Sequence, residues 1–375
     1  MKAIVVTPYY APTIGGLENY ARQLNNALAK QEGWEIVIVT SHKGWRQVRE
    51  RIDGMRIYRL GTWLKLSNTP LNPFWPLYIR RIIKREKPDI ILAHTPVPSL
   101  ADATALAKGK VPFVVFSHAA TLLKQGSPIF NMAARIYNLF GVRTFRRADR
   151  IFAVSDFVKQ QLTPELQRKT VVVPNAVWQR DIVTRTQPSE AKFIFIGSLA
   201  RSHAWKGLQQ VIDALALYRE QYGEAFELTV VGDGTMRSNY ERQVRRLGIE
   251  RQVRFVGSQI GDIKLGYLHE ALAMIMYPVT ENDAFPTVML EAWAQSVPVV
   301  SARIGSIATL IHDGEDGYLC VPKQPRALAD KLHQVVQLSP TSRAKVARAA
   351  TARTKDHYTW EQQARLVNRE AGKLL

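Results

Sequence analysis

Short apolar strands alternate with amphipathic helices along nearly the whole chain, and the alternation runs twice. Ala3–Thr7, Glu35–Thr40, Ile90–Ala93, Phe113–Phe116 and Arg150–Val154 have the length and β-branched character of buried strands. Helical periodicity fills the gaps, notably over Leu17–Lys30, Pro76–Lys87 and Phe157–Leu162. After Pro174-Asn175 comes a polar stretch of linker character, Gln179–Glu190. A second series follows through Phe193–Ile196, Leu228–Val231, Val253–Val256, Ala273–Tyr277, Val297–Ser301 and Gly317–Val321. Buried strands separated by helices build parallel sheets covered on both faces. The pattern therefore predicts an α/β protein with two Rossmann-like domains, residues 1–178 and 191–356, a size that suits 375 residues. Ligands of open parallel sheets bind at the carboxyl ends of the strands, so two such sheets facing each other would form an interdomain cleft.

Within the second series, Asp283-Ala-Phe-Pro-Thr-Val-Met-Leu-Glu291 places two carboxylates eight positions apart, where a loop should become a helix. Proline suits the first helical position because its missing N–H would be unpaired there. Val288, Met289, Leu290, Ala292 and Trp293 supply an apolar face, with Asp283 ahead of the helix and Glu291 more than one turn inside it. Free N–H groups at such a start attract phosphate, and carboxylates accept hydrogen bonds from sugar or ribose hydroxyls. The segment read alone fits two descriptions: a site for a nucleotide-linked sugar, or a helix-capping acid followed by a helix-face acid.

Hydrophobic content of 46% and charged content of 22% are those of an ordinary folded protein. The single cysteine, Cys320, excludes an internal disulfide and fits a reducing compartment. No apolar run approaches the ~20 residues that span a bilayer, and Met1 leads straight into strand sequence without the regions of a signal peptide. The expectation is a cytoplasmic protein, peripheral to a membrane at most. The net charge of +19 is concentrated at one end: residues 1–175 hold 26 Lys and Arg against 11 Asp and Glu, and the rest hold 25 against 21. Such asymmetry points to a polyanionic partner for the N-terminal half, whether membrane lipid, nucleic acid or an anionic glycan.

Seven segments combine into one pattern. They are Pro8-Tyr-Tyr-Ala-Pro-Thr-Ile-Gly-Gly-Leu-Glu18, Val172-Val-Pro-Asn175, Phe195-Ile-Gly197 with Lys206-Gly207, Val230-Val-Gly-Asp-Gly234, Val253-Arg-Phe-Val-Gly257, the acidic nonapeptide, and Val297-Pro-Val-Val with Asp313-Gly-Glu-Asp-Gly-Tyr-Leu. In this order they resemble the retaining glycosyltransferases of family 4 (glycosyl transferases group 1), and the resemblance covers essentially the whole chain. It implies the GT-B fold, with a C-terminal domain for a nucleoside-diphosphate sugar of UDP or GDP type and an N-terminal domain for the acceptor. A last helix, 358–375, would pack back onto the N-terminal domain and link closure to donor binding. No cofactor and no divalent metal is implied, and no His, Cys or Asp cluster has metal-ligand spacing.

The resemblance also implies roles. Gly15 and Gly16, which alone would read as a turn, become a loop whose amides approach a diphosphate or acceptor; Glu18 beside them reads as an acid complementing the helix dipole. Lys206 pairs with the donor's diphosphate and stabilises it as charge develops on leaving. Ser198 stands where the family usually has Arg, which makes Arg201 the nearest substitute. Gly232 and Asp233, with the segment after Gly257, line the base pocket. Glu291 matches the acid that binds the ribose hydroxyls. Asp283 stands near the transferred sugar where Glu is usual, one methylene shorter, and the amides from Phe285 through Pro286 and Thr287 to Val288 face the sugar and β-phosphate. His118 matches a position facing donor sugar and acceptor, making His118, Lys206 and Asp283 the catalytic candidates. His94, also at a strand end, reads as structural. Gly305-Ser306-Ile-Ala-Thr309 departs from the family's Gly-Gly and downstream acid.

The expected reaction is retaining transfer of a hexose-type sugar to a glycan or lipid-linked glycan acceptor in bacterial-type cell-surface polysaccharide or lipopolysaccharide synthesis. A sugar-nucleotide 2-epimerase and a non-catalytic sugar-nucleotide or polyanion-binding protein remain as alternatives. Two basic stretches with aromatic residues suggest contact with an anionic membrane surface. In one, Trp63, Phe74, Trp75, Tyr78 and Ile79 lie beside Lys65, Arg80, Arg81, Lys84, Arg85 and Lys87; the other runs from Arg135 to Arg147. Nucleic acid would use the same charge, but the chain has no nucleic-acid recognition motif.

Overall fold

The computed structural model describes all residues except 14, 32, 67–68, 96–99, 120–140, 187 and 189. The chain forms two compact units, Met1–Asn175 with Trp360–Leu375, and Ala176–Thr359. Residues 135–140 of the stretch from Arg135 to Arg147 lie outside the described residues.

The first unit is built on β1 (Lys2–Val6), β2 (Glu35–His42), β3 (Val48–Ile52) and β4 (Met55–Gly61), then, after the small antiparallel pair β5 (Leu64–Leu66) and β6 (Thr69–Leu71), on β7 (Ile90–Thr95), β8 (Phe113–Ser117), β9 (Arg150–Ala153) and β10 (Thr170–Val172). Among the described residues eight strands form one sheet, in the order β10-β9-β8-β7-β1-β2-β4-β3. Every pairing is parallel except β3 with β4. Ile4, Val37, Ile91, Phe113 and Ile151 are completely buried in its core, which is why the central strands read as continuous apolar runs. The β3–β4 hairpin escapes that pattern because β3 is mostly exposed and charged. Its signal is local: Asp53-Gly54, both at positive φ, joins strands whose ends pair Ile52 with Met55, the turn chemistry of a two-residue hairpin.

The second unit contains β11 (Lys192–Ile196), β12 (Glu227–Val231), β13 (Val253–Gly257), β14 (Ala273–Met276), β15 (Val299–Ala302) and β16 (Tyr318–Cys320). They form a parallel sheet in the order β13-β12-β11-β14-β15-β16. Phe193, Leu215, Ile275 and Leu332 are among its buried core. The stretch predicted as a polar linker is pinned to this unit. Val183 N–H donates to the Ala294 carbonyl at 2.7 Å, and the Arg185 guanidinium donates to the carbonyls of Gln295, His269 and Ala271 at 2.6–2.9 Å. Its polarity serves to satisfy helix-end carbonyls.

Helix Trp360–Gly372 belongs to the first unit and packs on helix Gly16–Ala29. Trp360 meets Tyr20 edge-on at 5.2 Å, and the Trp34 indole N–H donates to Asn368 Oδ1 at 2.8 Å. Among the described residues no helix is long and apolar enough to cross a membrane.

Candidate active site

In the second unit the loops leaving β11 and β12 are pressed together at the carboxyl ends of the strands. A Cβ on Gly232, whose φ is +150°, would stand 1.8 Å from the Gly197 carbonyl oxygen, so this crossing requires glycine. Leu199 N–H then donates to the Asp233 carbonyl at 2.9 Å and Arg201 N–H to Thr235 Oγ1 at 3.2 Å. Ser198 is exposed, its hydroxyl accepting from Ala200 N–H at 3.3 Å. Arg201 is exposed at the start of the 3-10 turn Arg201–Lys206. Asp233, in the loop ahead of helix Arg237–Arg246, pairs with Arg237 at 3.3 Å.

Lys206 ends that turn, held from behind. Val279 N–H donates to the Trp205 carbonyl at 2.8 Å. Gly207, at φ +79°, lies so close that a Cβ would stand 1.8 Å from the Tyr277 carbonyl oxygen. This clamp directs Lys206 into a narrow cavity of about 20 Å3, which it lines together with Trp205, Tyr277, Asp283 and Val288, space for about one water molecule. The structure thus unites two of the catalytic candidates, Lys206 and Asp283, on one cavity, and leaves Ser198, Arg201, Gly232 and Asp233 outside its lining.

The nonapeptide differs from expectation in its details. The helix is Thr287–Ala294 with Pro286 as the residue before it, so it starts one position later than predicted. Burial pushes the Asp283 carboxyl above the usual carboxylate range, opposed by the Lys206 ammonium and by the Phe285 N–H, which donates to it. That correction matters: the Phe285 amide is spent on Asp283, its ring is buried against Tyr358, and Pro286 has no N–H. The amides left ahead of the intrahelical ladder are those of Thr287 and Val288. From the segment that departs from the family pattern, Ser306 Oγ, fully buried, donates to the Asp283 carbonyl at 2.7 Å. Glu291 is half-buried and forms an ion pair with Lys264 at 2.9 Å.

In the first unit, Gly15 precedes helix Gly16–Ala29, and the Glu18 side chain folds back over it, where a Gly15 Cβ would meet a carboxylate oxygen at 2.1 Å. Burial raises the Glu18 carboxyl. Gly16 is exposed. His118 follows β8 and is half-buried, its Nε2 2.8 Å from His94 Nδ1 on β7. Tyr20 packs edge-on against His118 at 4.7 Å and donates its hydroxyl to the Val173 carbonyl at 2.9 Å. Burial lowers His118 to about 3 and holds His94 well below its ordinary value. Both rings are neutral at physiological pH. Sequence reasoning separated the two histidines, and their shared position at neighbouring strand ends is the signal that joins them.

The aromatic residues of the basic stretch divide into two groups. Trp75 and Ile79 are core residues. Trp63 and Phe74 are exposed, their rings 4.8 Å apart, and Trp45, 77% exposed, stacks on Trp63 at 6.4 Å. Helix Trp75–Glu86 exposes Leu77, Arg80, Arg81 and Lys84 on the side away from the core. Among the described residues, none of these three cations has a carboxylate within ion-pair distance.

Two α/β units, each built on a largely parallel sheet, define the GT-B fold class. The Glycosyltransferase Family 4 model matches residues 14–177 and the Glycosyl transferases group 1 model residues 180–353. The chain belongs to this family. It is 26% identical to the lipopolysaccharide core biosynthesis glycosyltransferase LpsE of Rhizobium meliloti, covering 88% of each protein. It is 25% identical to a glycogen synthase of Mycobacterium tuberculosis, covering 96% of this chain and 92% of that one. Its fold matches HepE of Anabaena, solved in complex with UDP, over the full length of both chains, with a TM-score of 0.77 and 19% identity.

Proposed function

We propose that the protein transfers a hexose-type sugar from a nucleoside-diphosphate sugar to a glycan or lipid-linked glycan, with retention of anomeric configuration and without a metal. The single observation that carries the reading is the convergence of Lys206 and Asp283 on one cavity beside the start of helix Thr287–Ala294. In the second unit, Lys206 and the Thr287 and Val288 amides hold the diphosphate, Asp283 accepts from a hydroxyl of the transferred sugar, and Glu291 accepts from the ribose. Gly232 and Asp233 border the base, and Arg201 supplies a second cation in place of the Arg that Ser198 displaces. The solved HepE complexes with UDP and UDP-glucose support a UDP-type donor, with GDP as the competing choice.

The first unit takes the acceptor. The bond from the anomeric carbon to the β-phosphate oxygen breaks, the acceptor hydroxyl oxygen bonds to that carbon on the same face, and the hydroxyl proton passes to the leaving phosphate. Lys206 stabilises the charge that appears on the diphosphate. His118, neutral, hydrogen-bonds a sugar hydroxyl rather than acting as a cation, and Gly16 presents an uncrowded backbone at the start of helix Gly16–Ala29, whereas Gly15 is covered by the Glu18 side chain. Trp45, Trp63, Phe74 and Leu77, with Arg80, Arg81 and Lys84, form the part of the basic half that meets an anionic membrane surface; the neutral core residues Trp75 and Ile79 take no part.

A thermal-shift screen against UDP, GDP and their sugars tests the donor reading, since a specific ligand raises apparent stability. Lys206→Ala and Glu291→Ala should abolish the shift, and an unchanged shift in both variants would reject the site. Release of free nucleoside diphosphate that requires acceptor separates transfer from epimerisation. Flotation with anionic and neutral vesicles at moderate salt checks the membrane part, which fails if the two bind equally.

A further inference from the structure

Lys264 lies in helix Gly261–Glu270, which follows β13 on the side assigned to the base, and its ammonium is 2.9 Å from Glu291 Oε2. Both side chains are largely shielded, 20% and 30% exposed, and they come from different helices 27 residues apart in sequence. Among the described residues no other cation is within ion-pair distance of Glu291. A carboxylate has about four acceptor positions. Lys264 occupies one of them, which restricts the rotation of the group and leaves the other oxygen and the second lone pair of Oε2 for ligand.

We propose that Lys264 is a positioning residue for nucleoside recognition: it holds the Glu291 carboxylate in the one orientation that accepts from both vicinal hydroxyls of the donor's ribose. The inference rests on the reading of Glu291 as the ribose acid. Two adjacent hydroxyls present a fixed pair of donors, so a carboxylate fixed beforehand engages both without losing side-chain freedom on binding. The pair also ties the helix on the base side to the helix that starts at the diphosphate, so base, ribose and phosphate contacts share one frame.

Calorimetric titration of UDP, GDP and their 2′,3′-dideoxy forms tests this with the whole protein. Wild type is expected to bind the better of the two nucleotides roughly ten- to hundredfold more tightly than its dideoxy form, the range for hydrogen bonds to a charged group. Lys264→Met should weaken the nucleotide about tenfold and leave the dideoxy form unchanged, collapsing the ratio. Lys264→Arg should restore it. In a Glu291→Gln background, Lys264→Met should add little, the non-additivity expected of groups acting as a unit. Equal weakening of both forms by Lys264→Met, or no effect on either, overturns the role of Lys264 while leaving the ribose assignment standing. No preference for ribose over dideoxyribose in wild type overturns the assignment of Glu291 itself, and the role of Lys264 with it.

Discussion

Nδ1 of His94 and Nε2 of His118 lie 2.8 Å apart, joined across 24 residues of sequence at the ends of adjacent strands. A single proton serves that contact, because two neutral imidazoles in contact offer one donor and one acceptor. His118 Nε2 is therefore committed to His94, and only Nδ1 is left for another group. The aromatic shell of Tyr20 and Phe116 around the pair excludes the water that would solvate an imidazolium.

The pair makes stability depend on acid. Both histidines have folded values below the ordinary 6.5, with His118 at about 3, so the native state binds fewer protons than the unfolded chain. Their contribution is fully present above pH 6.5 and is lost as pH falls toward 3. Urea unfolding from pH 8 to pH 4 should show this decline, and it should be shallower in His118→Asn. Activity from pH 6 to pH 8 should show no imidazole step that His118→Asn removes.

Asp283 has the opposite sign. Its folded value is raised by burial despite Lys206, so the ionised carboxylate costs stability once pH passes through that raised value. Asp283→Asn is expected to unfold at a higher temperature than wild type at pH 7. The difference should disappear under acid conditions where both states carry a protonated carboxyl. The same variant should lose most activity, which would identify the strain as serving function.

Ser306→Ala should act on the site without touching ligand. The buried hydroxyl bonds the Asp283 carbonyl, and its loss leaves that acceptor without its partner at a cost of about 1–3 kcal/mol. Thermal unfolding should shift downward accordingly. Sugar-transfer kinetics should show a lower kcat, because the Asp283 loop is no longer held, with the affinity for free UDP nearly unchanged.

Gly207→Ala should be more damaging than a loop substitution usually is. The added methyl would strike the Tyr277 carbonyl, and φ of +79° disfavours any side chain. Relief requires the Trp205–Lys206 segment to move off Tyr277–Val279, so donor binding should fall in parallel with stability. Soluble yield, unfolding midpoint and nucleotide affinity measured together would show whether the three decline as one.

Much of this molecule was legible from local pattern. Parallel strands such as Val37 to Val39 announce themselves because both faces are buried, and the nonapeptide announces a helix start because an acid, a proline and an apolar face follow one another. The β3–β4 hairpin was obscured by its charged outer strand. The polar stretch before β11 was misjudged as a linker because polarity looks the same whether it meets water, as at exposed Arg180, or helix carbonyls, as at Arg185.

Residue periodicity and motif order by themselves determined the two parallel-sheet domains, the family and the segments that bear chemistry. They did so because burial on both faces and a strand-to-helix turn constrain residue type within a few positions. Only the tertiary structure decided the partners: Lys264 for Glu291, Ser306 for Asp283, His94 for His118, and which aromatic rings of the basic half are core and which are surface. Each of those contacts joins elements 23 to 27 residues apart, or sorts neighbours such as Phe74 and Trp75 onto opposite sides of one turn. Their geometry follows from strand register and helix packing summed over the whole unit, and no local stretch of sequence contains that sum.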